Sequence, residues 1–267
     1  MTIRLQVAAM SLNWNNPTGA DFGPWLDEVK EAGYDGITGF ASSSLESFLD
    51  RPLELKRMLD ERGLQLASVD VHYRPDLDYY RKVCEFMAAN GCENLAYIDP
   101  KGGPKAFDEL GAWLNEIGEI SLSYGIRTMY HNHTRGIGET YADLERVHAS
   151  VDPEKVFMML DLGHATKDFI DVPDAGERAV SFLRNHWERI RFMEFKDWNE
   201  TTDLNTPVGE GQCDYNAVFA LMKARGYDGW VLVEQNGNEG WSLGRPPLAC
   251  AKQSLAFIRR GLGLEPA

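Results

Sequence analysis

The chain of 267 residues carries 41 acidic against 27 basic side chains, a formal net charge of −14. That balance argues against nucleic-acid partners, which are bound through clustered Lys and Arg that release counterions from phosphate. With 43% apolar residues the chain can bury a large core, yet no run approaches the roughly 18 uninterrupted apolar residues that a membrane-spanning helix needs.

The first ten residues hold Arg4 and Gln6 inside a short apolar run, with no small-residue cleavage site after it, so the expected location is cytoplasmic. Cys84, Cys92, Cys213 and Cys250 lie far apart without a C-x-x-C pair. Zinc-ribbon and thioredoxin readings therefore fail, and free thiols in a reducing compartment are expected.

Strand candidates follow in order at 3–11, 34–40, 64–73, 92–99, 126–133, 156–164, 190–197 and 229–236. Five of the joints into them carry a glycine just past a helical pattern: Gly33, Gly63, Gly91, Gly125 and Gly226. Glycine enters the left-handed conformation that ends helices without a Cβ penalty, so each is predicted to be a helix-to-strand joint. The sixth and seventh joints use Val151-Asp-Pro153 and Trp187-Glu-Arg189 instead. Helical spacing of apolar residues separates the runs, as in Trp25-Leu-x-x-Val29, Pro52 to Leu59, Tyr80 to Met87, Leu110 to Ile117 and Ala217 to Met222. Eight strands alternating with helices predict a closed (β/α)8 TIM barrel, a single α/β domain over 1–267. The competing doubly wound sheet lacks its phosphate turn, since Met10 to Pro17 contains no G-x-G.

Four metal-type side chains stand near the ends of the last four runs: His131, Asp161, Glu194 and Glu234. Strand residues alternate faces, so each continues the face of an apolar residue two positions earlier: Met129, Met159, Phe192 and Leu232. Ionisable groups on such a face must be paired, neutralised or coordinating a cation, and the C-terminal face of a barrel brings them together. The plain alternatives are a helix cap for Asp161 and an ion pair with Lys196 for Glu194 or Glu234. One or two imidazoles with three carboxylates suit Mn²⁺ best, with Co²⁺, Zn²⁺ or Mg²⁺ as alternatives. His72, His133 and Lys196 are candidate substrate contacts. Trp14 and Trp241 follow the first and eighth runs as candidate aromatic walls, with plain packing as the alternative.

Tyr130-His-Asn-His133, Leu160-Asp-Leu-Gly-His164, Phe195-Lys-Asp197, Val208-Gly-Glu-Gly211 with Asp214, and Gly226-Tyr-Asp-Gly-Trp230 through Glu234 resemble the xylose isomerase-like barrels of the sugar phosphate isomerase/epimerase family. That family includes inosose dehydratases and hydroxypyruvate isomerases, and the resemblance spans nearly the whole chain. It implies one divalent metal held by Glu, Asp, His and Glu from strands five to eight, with the two Glu residues moving protons. Here the strand-five position is His131 and the strand-seven position Glu194. The two departures keep the chemical inventory while exchanging places, and the usual strand-five base is gone, so the resemblance implies that proton transfer falls to Glu234, His131, His133 or His164.

The expected function is isomerisation or epimerisation of a ketose or related polyol through a metal-stabilised enediolate. The alternative is a lyase dehydrating an inosose-like keto-polyol; a non-catalytic sugar-binding subunit and a DNA endonuclease rank below both. Expected partners are a small sugar or polyol, with no nucleic acid and no membrane, and a homo-oligomer left open.

Overall fold

Gly33, Gly63, Gly91, Gly125 and Gly226 take φ angles of 89°, 64°, 68°, 76° and 69°. All five joints are thus the left-handed turns their sequence context predicts. The structure is a computed structural model that describes residues 4–99, 103–236 and 245–264. Its strands are β1 (Arg4–Met10), β2 (Gly36–Phe40), β3 (Gln65–His72), β4 (Asn94–Ile98), β5 (Arg127–His131), β6 (Val156–Asp161), β7 (Ile190–Phe195) and β8 (Asp228–Val233). They pair in chain order and close, with β1 parallel to β8.

The helices are α1 (Phe22–Ala32), α2 (Pro52–Asp60), α3 (Leu77–Ala89), α4 (Phe107–Leu122), α5 (Tyr141–Ser150), α6 (Leu162–Asp168), α7 (Ala175–His186), α8 (Tyr215–Arg225) and α9 (Pro247–Leu262). Strand alternation divides the apolar residues into two layers. One lies inside the barrel and consists of Ala8, Met10, Ala67, Ala96, Met129, Met159, Phe192 and Leu232. The other, including Trp25, Leu114, Phe182 and Phe219, cements the strands to the helices. Among the described residues, no helix is long and apolar enough to cross a membrane.

The sequence reading of 156–164 as one strand needs correction. β6 stops at Asp161, whose Oδ1 accepts the His164 amide N–H at 2.9 Å and caps α6. Capping satisfies an orphan amide at a helix start, so the chain turns helical immediately and His164 rides on a helix. His133 likewise lies beyond β5, in the loop that follows it.

Two glycines separate backbone strain from steric contact. A Cβ on Gly125 would meet nothing within 4 Å, so Gly125→Ala is expected to cost only the left-handed backbone penalty, about 1–2 kcal/mol. A Cβ on Gly111 would fall 2.2 Å from the Ser150 carbonyl oxygen, where α4 meets the end of α5. Gly111→Ala should therefore destabilise more than Gly125→Ala in urea unfolding, against its gain in helix propensity.

Candidate metal centre

The inner apolar layer includes Met129, Met159, Phe192 and Leu232, and the next inward residue is polar in each case: His131, Asp161 and Glu194 on β5, β6 and β7, and Glu234 just past the end of β8. His131, Asp161, Glu194 and Glu234 are at most 5% exposed. Strand register decides how they meet. Asp161 pairs with Glu194, so these two carboxylates stand side by side. Glu194 pairs with Leu232 and Phe195 with Val233, which places Glu234 one inward step further along, opposite Lys196.

The contacts follow that stagger. His131 Nε2 lies 3.5 Å from Asp161 Oδ2 and 3.5 Å from Glu194 Oε2. One ligand atom from each of His131, Asp161 and Glu194 falls within 4.8 Å of the other two. Glu234 stands apart from this trio, with its Oε1 accepting a hydrogen bond from Lys196 Nζ. The same ammonium lies 3.5 Å from Glu194 Oε1 and 3.7 Å from Asp161 Oδ2.

Local structure holds each group in place. The Asn132 side chain straps β5 to β6, donating to the Asp161 carbonyl at 3.1 Å and accepting the Asp161 amide at 2.9 Å. Asp161 thus spends Oδ1 on the α6 cap and turns Oδ2 to the trio. A Cβ on Gly163 would lie 2.8 Å from Lys196 Cγ, so the glycine leaves room for the lysine stem. Asp197, next in sequence, faces the opposite way and accepts backbone N–H bonds from Trp198, Gly209, Gly211 and Cys213, pinning the loop after β7.

Burial would weaken the acidity of Asp161, but His164, Lys196 and His131 outweigh it and hold the carboxyl below its usual range. Glu194 moves the other way, pushed up by burial and then by Asp161 and Glu234. Burial would lower the Lys196 pKa, yet Glu234, Asp161 and Glu194 raise it, so the ammonium is firmly protonated. Burial lowers both His164 and His133, the latter to about 4, so both are neutral at neutral pH.

The donor set fits a divalent ion. Both Glu194 oxygens and His131 Nδ1 are buried without a hydrogen-bond partner, and two ligands of one ion at about 2.0–2.2 Å each stand about 3–3.5 Å apart. Three carboxylates face one ammonium, a deficit of two positive charges that a divalent cation would cancel.

The remaining candidates fall at different places. His133 packs against His164, ring centroids 4.1 Å apart and tilted by 39°, and its Nδ1 contacts the Thr134 carbonyl at 2.8 Å. His72 lies flat against Phe40, at 5.4 Å and 17°. The Trp14 indole donates to Glu28 at 2.7 Å and packs on Trp25, in the outer layer rather than against the trio. Trp241 lies outside the described residues.

Sequence reasoning missed Asp70, on β3 between Ser68 and His72. It is fully buried, neither oxygen has a hydrogen-bond partner, and burial followed by the Glu234 charge raises its pKa well above 3.8. Its inward register was available from strand alternation with His72. Thr134 and Asp168 were also missed; they bond to each other at 2.6 Å beside His164, a contact between elements that no spacing reveals.

A profile of the xylose isomerase-like TIM barrel family matches residues 26–261. The chain belongs to that family. An inosose dehydratase of Lacticaseibacillus casei is 23% identical over 88% of this chain and 90% of its own length. An L-ribulose 3-epimerase structure aligns with a TM-score of 0.76 at 17% identity, over 97% of this chain and 95% of that one. The IOLI protein, crystallised with a bound zinc atom, aligns at 0.75 and 15% identity, over 97% and 98%. Structural likeness at these identities speaks to the fold. In this chain His131 and Glu194 meet at 3.5 Å beside Asp161, although β6 separates their strands.

Two outcomes are expected. Glu194→Gln should lose bound metal when the purified protein is assayed by plasma mass spectrometry, and full occupancy would show that the trio is not the site. Asp70 supplies a pH signature: a carboxyl with a raised folded pKa contributes stability below its unfolded pKa and loses it as pH rises through the folded value. In chelator, Asp70→Asn should therefore stabilise more at about pH 8 than at about pH 4 in urea midpoints, and equal effects would mean an ionised, partnered Asp70.

Proposed function

We infer that this protein is a divalent-metal-dependent enzyme that removes the proton beside the carbonyl of an unphosphorylated ketose or keto-polyol and passes it through an enediolate to an isomeric sugar. The observation that carries this reading is the division among the polar groups. His131, Asp161 and Glu194 converge, while Glu234 is set apart on the Lys196 ammonium.

His131, Asp161 and Glu194 would hold the metal, and one imidazole with two carboxylates suits Mn²⁺, with Zn²⁺, Co²⁺ and Mg²⁺ as competitors. When bound, such an ion polarises the carbonyl and neighbouring hydroxyl of an α-hydroxy ketone and so acidifies the C–H between them. Glu234 then serves as the base. Lys196 fixes its orientation, and the ammonium stays charged while the carboxylate gains and returns the proton. His133 and His164, both neutral, are suited to exchange hydroxyl protons, and His72 offers a ring at the end of β3 for substrate contact. The strand-five position carries His131 rather than a second carboxylate, which favours transfer on one face over two-base epimerisation. Lys196 is engaged by three carboxylates and Arg245 by Glu210, which favours substrates without phosphate.

Dehydration of an inosose-like keto-polyol is the second reading, favoured by the inosose dehydratase relative. It shares the first proton abstraction and differs in breaking the carbon–oxygen bond β to the carbonyl, the hydroxyl leaving as water with the proton that Glu234 had taken. Incubating Mn²⁺-loaded protein with a panel of ketoses and an inosose in heavy water separates the readings. Isomerisation yields an isomer carrying solvent deuterium, and dehydration yields a conjugated product absorbing in the ultraviolet. Neither signal across the panel would refute both and leave a non-catalytic sugar-binding role. Glu234→Gln is expected to lower turnover by about 10²–10⁴-fold, the usual worth of a general base, with metal content retained.

A further inference from the structure

His164 and Asp168 share one face of α6, four residues apart, and the loop after β5 lays Thr134 between them. Thr134 Oγ1 lies 2.8 Å from His164 Nδ1 and donates to Asp168 Oδ2 at 2.6 Å. Asp168 Oδ2 is itself 3.3 Å from Nδ1. On the far side of the ring, Nε2 is buried without a hydrogen-bond partner and lies 3.7 Å from Asp161 Oδ2. All three partners are at most partly exposed, so this is an interior arrangement.

A neutral imidazole carries one proton, and its neighbours decide which nitrogen holds it. The Thr134 hydroxyl has a single proton, given to Asp168, so its oxygen faces Nδ1 as an acceptor. The Asp168 carboxylate draws a proton toward the same nitrogen. Two contacts oppose them: the Thr134 backbone N–H also points at Nδ1, at 3.2 Å, and the Asp161 carboxylate, 3.7 Å from Nε2, draws a proton to the far side of the ring. Charge-assisted hydrogen bonds are shorter and roughly twice as strong as neutral ones, so the short chain from Nδ1 through Oγ1 to the carboxylate outweighs both the longer amide contact and Asp161, whose oxygen stands beyond hydrogen-bond distance of Nε2. Burial first, opposed by the Thr134 bond and Lys167 and helped by Glu139 and Asp161, raises the Asp168 pKa only to about 6, which leaves it ionised at neutral pH.

We propose that Thr134 and Asp168 are positioning residues that hold the His164 proton on Nδ1 and so aim a bare Nε2 acceptor at the ligand cluster. This deepens the functional reading above and rests on it. Glu234 takes the carbon-bound proton, and His164 Nε2 accepts a proton from a substrate hydroxyl on the side of the cluster where Asp161 lies. The O–H bond breaks, an N–H bond forms, and the resulting imidazolium is stabilised through Thr134 by the Asp168 carboxylate; the proton returns to the product oxygen.

The test uses the full chain labelled with ¹⁵N-histidine, in chelator at neutral pH, so that it is independent of turnover. The expected result in ¹⁵N NMR is a one-bond N–H correlation at Nδ1 of His164 and none at Nε2. Thr134→Ser should keep that pattern, whereas Thr134→Val should lose it in a protein with otherwise native spectra. A proton on Nε2 in the unsubstituted protein, or an unchanged Nδ1 proton in Thr134→Val, would overturn the proposal. If Thr134→Val fails to fold, Asp168→Asn, which keeps the volume and removes the charge, serves in its place, with the same loss expected. On whichever ketose or inosose the Mn²⁺ enzyme turns over, Thr134→Val should lower kcat more than it changes KM. Turnover of nothing in the panel would sink the functional reading while the NMR result still decided the tautomer.

Discussion

Negative charge buried in excess at one end of the barrel is the constraint from which the rest of the site follows. Asp161, Glu194 and Glu234 face the single ammonium of Lys196, all of them nearly or fully removed from water. Uncompensated buried charge is among the most expensive things a fold can hold. The opposite shifts of Asp161 and Glu194 express that cost: one carboxyl collects the cationic and imidazole neighbours and stays ionised, while the other is pushed toward its protonated form. Asp70, deeper in the same space, is pushed the same way as Glu194.

The scaffold tolerates this arrangement because its rigid parts carry it. Asn132 ties β5 to β6, the cap on α6 fixes Asp161, and Gly163 admits the lysine stem. The four amides on Asp197 hold the chain just after Lys196. Asp161 and Lys196 are therefore oriented by neighbours that do not face the cluster, the arrangement expected where a polar group must stay within a fraction of an ångström of a working position.

Much of this was legible in one dimension. The period-two match of Met129 with His131, Met159 with Asp161, Phe192 with Glu194 and Leu232 with Glu234 reappears as one inner layer beneath one polar layer. The glycine joints were equally readable, because a left-handed φ is a local demand that one residue type meets most cheaply. Asp161 resisted a single reading because its two oxygens part ways: one caps the helix and the other faces His131. Thr134 and Asp168 carried no signal, since their partnership crosses from a loop to a helix.

The sequence by itself determined the eight-fold alternation, the barrel and the end at which the polar groups gather, because periodicity and turn chemistry act over a few residues. Only the tertiary structure decided which groups meet. The stagger between neighbouring strands sets Asp161 against Glu194 and carries Glu234 one step on, to Lys196. That stagger is fixed by closing the sheet on itself, a condition on all eight strands at once, and no single strand's sequence contains it.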